Sequence, residues 1–303
     1  MKSINFVVLG DWSIASELGK KGTVTDMTFY ERKSPAGAFS FITPTSFPEK
    51  IQPLVQAIAL CEYAILNVKT IDKALGEQIV ALDAMGMSKG FIIANGYDDD
   101  IRKIVKSTLL EGYEFVTFDE LRLRIDSVEA LAQDGKFKVV LDACFEVKGI
   151  GTVALGVVRR GELKKYDEVE IFPGKIKASV RSIQMHDDDV DSAKSPSRVG
   201  VALKGTNASE VTRGDVLAAP GSLKSESAMK VRFEKSKFYR GEILPTSSYH
   251  MCIGLQIKPV KVSIDGDMSV VAERPFAFEA GERCVLLDLN STTVRILGSG
   301  TVL

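Results

Sequence analysis

The chain has 303 residues, of which 45% are hydrophobic and 26% charged, with a formal net charge of −1. That length suits two or three domains, each able to bury its own core, and the proportions exclude a disordered chain. No apolar run reaches the roughly 18 residues of a membrane span, and the apolar start up to Leu9 is too short for a secretory signal, so a cytoplasmic protein with no membrane partner is expected.

Four widely spaced cysteines, Cys61, Cys144, Cys252 and Cys284, form no CxxC pair and suit reduced thiols. With His186 and His250 as the only histidines, no metal cluster is expected. The charge is uneven: residues 1–135 carry 14 Lys and Arg against 19 Asp and Glu, and residues 136–303 carry 25 against 21. The mild positive balance of the second part suits a polyanionic partner, although solvated faces alone give imbalances of this size.

In chain order, the apolar runs 4–9, 64–68 and 91–94 predict short strands, and the patterned segments 50–60 and 77–85 predict helices between them. Alternation of this kind implies a parallel sheet with covered faces. From about Phe137 the texture changes to short β-rich runs punctuated by turn residues: 138–146, 151–158, 168–172, 178–184, 198–203 and 216–218, then 229–234, 248–255, 260–264, 283–289 and 293–297. Such spacing predicts barrels or sandwiches. Linkers are expected at Gln133-Asp134-Gly135 and Pro220-Gly221-Ser222.

After the first strand comes GDWSIASELGKKG, residues 10–22. A buried strand that ends in Gly and turns into a helix is where a nucleotide-binding protein places its phosphate loop. That loop, GxxxxGK[ST], needs backbone N–H groups around the phosphates, a Lys against their charge and a hydroxyl on Mg²⁺. Laid ungapped from Gly10, the chain offers Ala15, Ser16 and Glu17 at the last three positions. Ala15 adds a Cβ where backbone must approach phosphate, Ser16 removes a positive charge, and Glu17 sets a carboxylate among phosphate oxygens, a repulsion of roughly 4 kcal/mol at 4 Å in a surface-like dielectric. Alternatively the loop is shortened, since seven residues separate Gly10 from Leu18. Either way only Gly10 remains, as a vestige.

The most specific stretch is FEVKGIGTVALGVVRRGELKKYDEVEIFP, followed by VRSIQMHDDDVDSAKSPSRVGVALKGTNASEVTRGDVLAAP. Gly149, Gly151-Thr152-Val153, Gly156, Gly161, Ser182 to His186, Ala193, Arg198-Val199-Gly200, Lys204-Gly205 and Arg213 to Leu217 resemble the second domain of translational GTPases of the elongation factor Tu and SelB type. The glycines also have a purely structural reading, because small residues permit the tight turns of a closed barrel. LGKKGT and TDMTFY (within 18–30), FPEKIQPLVQAI (47–58) and GEQIVALDAMGMSKGFIIA (76–94) resemble, more narrowly, a SelB-like branch of methanogenic archaea, and HMCIGLQIKPVKVSI (250–264) resembles the third domain.

The resemblance implies a GTPase-like α/β domain of the P-loop NTPase type over 1–130, then two all-β barrel domains over 136–221 and 226–303. It also locates two further nucleotide signatures. The Asp-x-x-Gly segment corresponds to Thr43-Pro44-Thr45-Ser46, where the carboxylate is lost. The base-reading Asn-Lys-x-Asp corresponds to Asn95-Gly96-Tyr97-Asp98, which keeps Asn95 and Asp98 and loses the Lys; it reads either as a relic of a base pocket or as an ordinary strand-end turn. GTP and Mg²⁺ are therefore disfavoured, no cofactor is expected, and no catalytic group can be nominated.

The partners implied by the resemblance are an aminoacyl-tRNA or another RNA, and the ribosome. The family's grips on the acceptor end and the T-arm transfer to Arg198, Lys204 and Arg213 in the second domain and to Lys230, Arg232 and Arg240 in the third. MKVRFEKSKFYR, residues 229–240, adds its own argument: in a strand, Lys230 and Arg232 share one face, and Phe238 and Tyr239 offer aromatic rings for bases. Its alternative is a strand with Phe233 in the core and a charged outer face. Lys20-Lys21-Gly22-Thr23 reads as a solvated turn or as a basic loop near RNA. Asp187-Asp188-Asp189 is a poor cation site, because consecutive strand residues face opposite ways. Three functions compete: a pseudo-GTPase elongation factor that binds RNA without hydrolysis, a GTP-binding factor with a non-standard phosphate site, and a regulatory scaffold for protein contacts.

Overall fold

The computed structural model describes residues 2–303. The chain forms two compact units. The first comprises the chain up to Ala130 with Ser236–Arg240 and Leu289–Leu297; the second comprises Leu131–Lys235, Gly241–Asp288 and Gly298–Leu303.

The first unit is built on β1 (Ser3–Gly10), α1 (Ala15–Leu18), β2 (Lys20–Val24), β3 (Thr28–Ser34), β4 (Gly37–Thr43), α2 (Gln52–Ala59), β5 (Tyr63–Asn67), α3 (Lys73–Met85), β6 (Gly90–Ile93), α4 (Asp98–Val105), β7 (Glu114–Phe115) and α5 (Phe118–Arg124). The strands form one sheet in the order β2-β3-β4-β1-β5-β6-β7. Central β1 runs parallel to both β4 and β5, and its residues are buried up to Leu9, as a strand covered on both faces requires. Phe6 and Phe41 stack within this core at 5.4 Å.

Three strands, β2 to β4, lie outside the sequence expectation. β3 carries Tyr30-Glu31-Arg32-Lys33, whose polarity masks a strand, yet it pairs antiparallel with β4 along its length. Lys20 to Thr23, expected as a turn or basic loop, belong instead to β2, a fully exposed edge strand; charged residues suit such an edge because they oppose pairing with other chains. α3 starts before the apolar pattern does, because Asp72 caps it by accepting from Leu75 N at 2.8 Å, and it ends at Gly86 in the left-handed region. Within this unit Arg295 also donates through Nε to both carboxylate oxygens of buried Glu77, at 3.0 and 3.2 Å, so the 289–297 segment is tied to α3.

The second unit opens with β8 (Lys138–Val147), β9 (Gly151–Arg160), β10 (Glu162–Lys164), β11 (Glu168–Phe172), β12 (Ile176–Met185), β13 (Asp188–Val190), β14 (Ser192–Lys194), β15 (Arg198–Lys204) and β16 (Val216–Ala218). The order β11-β16-β8-β9-β15-β12 closes on itself through the β11–β12 pairing, with β13 beside β12 and a separate β10–β14 ribbon. Val139, Leu141, Val158, Val169, Ile183 and Val201 fill the barrel. Gly156 is required where β9 crosses β8, since a Cβ would stand 2.3 Å from the Val140 carbonyl oxygen.

A second barrel follows from β17 (Lys224–Lys235), β18 (Tyr249–Ile253), β19 (Gln256–Asp265), β20 (Asp267–Phe278), β21 (Arg283–Leu287) and β22 (Ile296–Val302), closed in the order β17-β20-β19-β18-β21-β22. The long β20 is absent from the sequence reading, and the run expected as a strand over 293–297 is mostly loop, the strand beginning at Ile296. Within the second unit the two barrels are joined by Arg160, whose guanidinium forks onto Glu279 at 2.6 and 2.8 Å, and by an ion pair between Lys138 and Glu282. Their backbones meet closely at Gly214, where a Cβ would stand 3.0 Å from the Leu255 carbonyl oxygen.

Candidate nucleotide crevice and RNA-contact residues

The crevice in the first unit is set by Gly10. Its φ is +74°, and a Cβ there would stand 2.0 Å from the Asn67 carbonyl oxygen at the end of β5, so only glycine fits. Three N–H groups of the turn are engaged internally. Gly10 N donates to Gln78 Oε1 at 2.9 Å, Asp11 N donates to Asn67 O at 2.8 Å, and Ser13 N donates to Asp11 Oδ1 at 3.1 Å. Asn67 Nδ2 returns a bond to Asp11 O at 2.8 Å. A single 3₁₀ turn, Trp12–Ile14, then leads into the one-turn α1. Ser16 and Glu17 are exposed on it, and Ser16 Oγ donates to Ser13 O at 2.8 Å.

Electrostatics around the turn are mixed. The bond from Ser13, assisted by Lys69 3.3 Å from Asp11 Oδ2, holds the Asp11 carboxyl below the usual carboxylate range. A cavity of about 350 Å³ opens beside it, lined by Gly10, Asp11, Trp12, Lys69, Asp72 and Gln78 among others.

Residues at the other two signature positions make local hydrogen bonds. Thr43 is fully buried and its hydroxyl donates to Thr28 O at 3.4 Å. Asn95, at a φ of +51°, uses its amide to join strand ends, donating to Asn67 Oδ1 at 2.9 Å and Val68 O at 2.8 Å. Asp98 opens α4 with Asp99 and Asp100 in its first turn, where the positive end of the helix dipole favours carboxylates. The structure thus brings Gly10 and Asn95 together around Asn67, while Asp98 sits on the following helix. Asn67, Asp11 and Gln78 were not singled out from sequence. The only signal for Asn67 is a polar residue ending an apolar strand, and none marks Gln78.

On the barrels the expected RNA contacts separate into two kinds. Arg198 needs correction: it is buried and pairs with buried Asp142 through two bonds, at 2.5 and 3.1 Å, so its guanidinium faces inward and offers nothing to a phosphate. Its neighbour Arg213 is half-buried and donates from Nε to Asp142 O at 3.2 Å. Lys204 ends β15 exposed, and Lys230 and Arg232 are exposed on one face of β17, with Met229 and Val231 turned into the barrel. Arg240 is exposed in a segment of the first unit, next to Tyr239, which is buried and therefore no platform for a base. Among the described residues no group of His, Cys, Asp and Glu is arranged to hold a metal ion, and no helix is long and apolar enough to cross a membrane.

A parallel-centred α/β sheet followed by two six-stranded barrels is the architecture of translation factors of the elongation factor Tu class. The family model of elongation factor Tu domain 2 matches residues 151–218. An uncharacterized protein of Methanocaldococcus jannaschii is 32% identical over 294 residues, covering 95% of both chains. The selenocysteine-specific elongation factor of the same organism is 23% identical over 339 residues, covering 95% of this chain and 72% of its own. Among solved structures, elongation factor SelB of Methanococcus maripaludis, in complex with the GTP analogue GppNHp, superposes with a TM-score of 0.86 at 22% identity, over 100% of this chain and 79% of its own. The chain belongs to the SelB-like, elongation factor Tu-type family of translational GTPases.

Proposed function

We propose that this protein is an elongation factor-like RNA-binding protein that holds an aminoacyl-tRNA or another RNA on its barrels without a GTP-driven switch. The observation that carries the reading is the turn after β1. The N–H groups of Gly10, Asp11 and Ser13 already meet oxygens of Gln78, Asn67 and Asp11, and the positions of the phosphate-binding Lys and the Mg²⁺-binding hydroxyl are Ser16 and Glu17. These residues do not fit GTP with Mg²⁺, because three N–H groups of the turn are already taken and the Lys and hydroxyl of the motif are absent.

The RNA half of the reading is supported by the exposed cations Lys204, Lys230 and Arg232 and by the names of the relatives, one of which is a selenocysteine-specific elongation factor. Phosphate contacts of this kind depend on Lys and Arg that water reaches. Titration of labelled tRNA, with and without GTP, tests the reading: binding that weakens with salt and ignores GTP is expected. Replacing Lys230 and Arg232 by Ala should lower the log–log salt slope by roughly 0.7–0.9 for every phosphate the surface no longer neutralises. An absence of binding to tRNA and ribosomal RNA at low salt would instead favour a scaffold for protein contacts.

A further inference from the structure

We propose that the cavity beside the β1 turn binds an uncharged, planar, hydrogen-bonding ring, of the chemistry shared by an unphosphorylated nucleoside and an unpaired base of an RNA strand. The first observation is Gln78. Its side chain is 97% buried, at 3% exposure, and it lines the cavity. Because Gly10 N–H is a donor, the amide must turn Oε1 toward it, which leaves both Nε2 hydrogens on the other side. Nε2 has no protein partner among the described residues and is reached by solvent from the cavity, so it offers its two hydrogens to an acceptor that enters there. A ring carbonyl or ring nitrogen is such an acceptor.

Trp12 is the second observation. It is the only tryptophan of the chain, it stands half-buried in the turn that replaces a phosphate loop, and it forms part of the cavity lining. An indole wall favours a flat ligand, since stacking on an aromatic face is available to any base. The lining charges then exclude phosphate. Asp11 and Asp72 outnumber Lys69, which is already paired with Asp11, and the N-terminus of α3 is neutralised by Asp72, whose Oδ1 accepts from Leu75 N and whose Oδ2 accepts from Thr70 Oγ1 at 3.3 Å. The same carboxylates have lone pairs for ring N–H or ribose O–H groups. At about 350 Å³ the cavity is at the small end of ligand pockets, which suits one ring system with its sugar better than a nucleotide with its phosphates and metal.

Since Trp12 is the sole indole, its fluorescence reports on this cavity alone. The full chain is titrated with adenosine, guanosine, cytidine and uridine, with the matching triphosphates, and with a short single-stranded RNA and its duplex. Saturable quenching by at least one nucleoside, at least tenfold weaker with its triphosphate, is expected for a free-nucleoside site. Quenching by the single strand and not the duplex, with nucleosides silent to their solubility limit, assigns the ring to an unpaired base. Gln78→Glu keeps an acceptor for Gly10 N–H and deletes the donor pair, and should weaken binding about tenfold. If that variant fails to fold, Trp12→Leu followed by calorimetry should lose binding to the same degree or more. No quenching by any nucleoside or by single-stranded RNA, or a triphosphate that binds as tightly as its nucleoside, overturns the proposal. Labelled tRNA that binds while neither nucleosides nor single-stranded RNA change Trp12 emission also overturns it, and leaves RNA binding by the barrels standing.

Discussion

The crevice of the first unit and the first barrel of the second began from the same family pattern and have been treated differently. In the barrel the patterned residues still close the fold: Gly156 lets β9 cross β8, and Arg198 neutralises Asp142 between β15 and β8. In the crevice Gly10 is left-handed against β5, three N–H groups of the turn are bonded inward, and Ser16 and Glu17 stand where the GxxxxGK[ST] pattern laid ungapped from Gly10 has its Lys and hydroxyl. Residues that make the fold are kept by packing, and residues that make a site can disappear while the fold persists.

The comparison breaks most visibly at the Arg198–Asp142 pair. Arg198→Met leaves a buried carboxylate without its partner, and we expect about 3–5 kcal/mol of destabilisation by denaturant unfolding. An Asp142→Asn, Arg198→Met double variant should recover part of it; a loss below about 1 kcal/mol would show the pair to be solvated. Gly10→Ala should destabilise the first unit by about 2–3 kcal/mol, since it combines a left-handed φ with a clash against the Asn67 carbonyl. Thermal unfolding that leaves this variant unchanged would show that the turn is not held as described.

A pH test sharpens the view of the second unit. The bonds from Arg160 hold the Glu279 carboxyl below its ordinary value of 4.5. The unfolded chain therefore binds more protons than the folded one as pH falls below about 4.5, so this part of the stability is present above that pH and is lost as pH falls through the folded value. Glu279→Gln should flatten that acid limb of a stability–pH curve, and an unaltered limb would remove the pair from the account. The smallest effect is expected on β17, where Lys230→Ala with Arg232→Ala should change stability by under about 0.5 kcal/mol, because exposed charges contribute little.

The order of elements was legible where periodicity is clean. The buried run of β1 and the change to short β segments near Phe137 place the sheet and the barrels. β2 and β3 were hidden because an edge region is polar and its charges obscure alternation, whereas β4 is buried throughout and its apolar residues are broken into pairs by Ser40. β20 was hidden because Glu273, Arg274 and Pro275 interrupt its apolar residues. The departure from the GxxxxGK[ST] pattern at Ala15, Ser16 and Glu17 is plain in the sequence, but the role of Gln78 is not, because it reaches Gly10 across 68 residues of sequence. Arg198 carried the opposite lesson: an arginine in a family pattern marks a contact, and only burial shows whether that contact is an RNA phosphate or Asp142.

The central claim is that the crevice no longer serves GTP. Calorimetric titration of the purified chain with GTP, with and without Mg²⁺, tests it most directly. The account predicts no heat of binding below a Kd of roughly 100 µM and no effect of Mg²⁺, since the missing charge and the engaged N–H groups together remove several kcal/mol. Micromolar, Mg²⁺-dependent binding would contradict it.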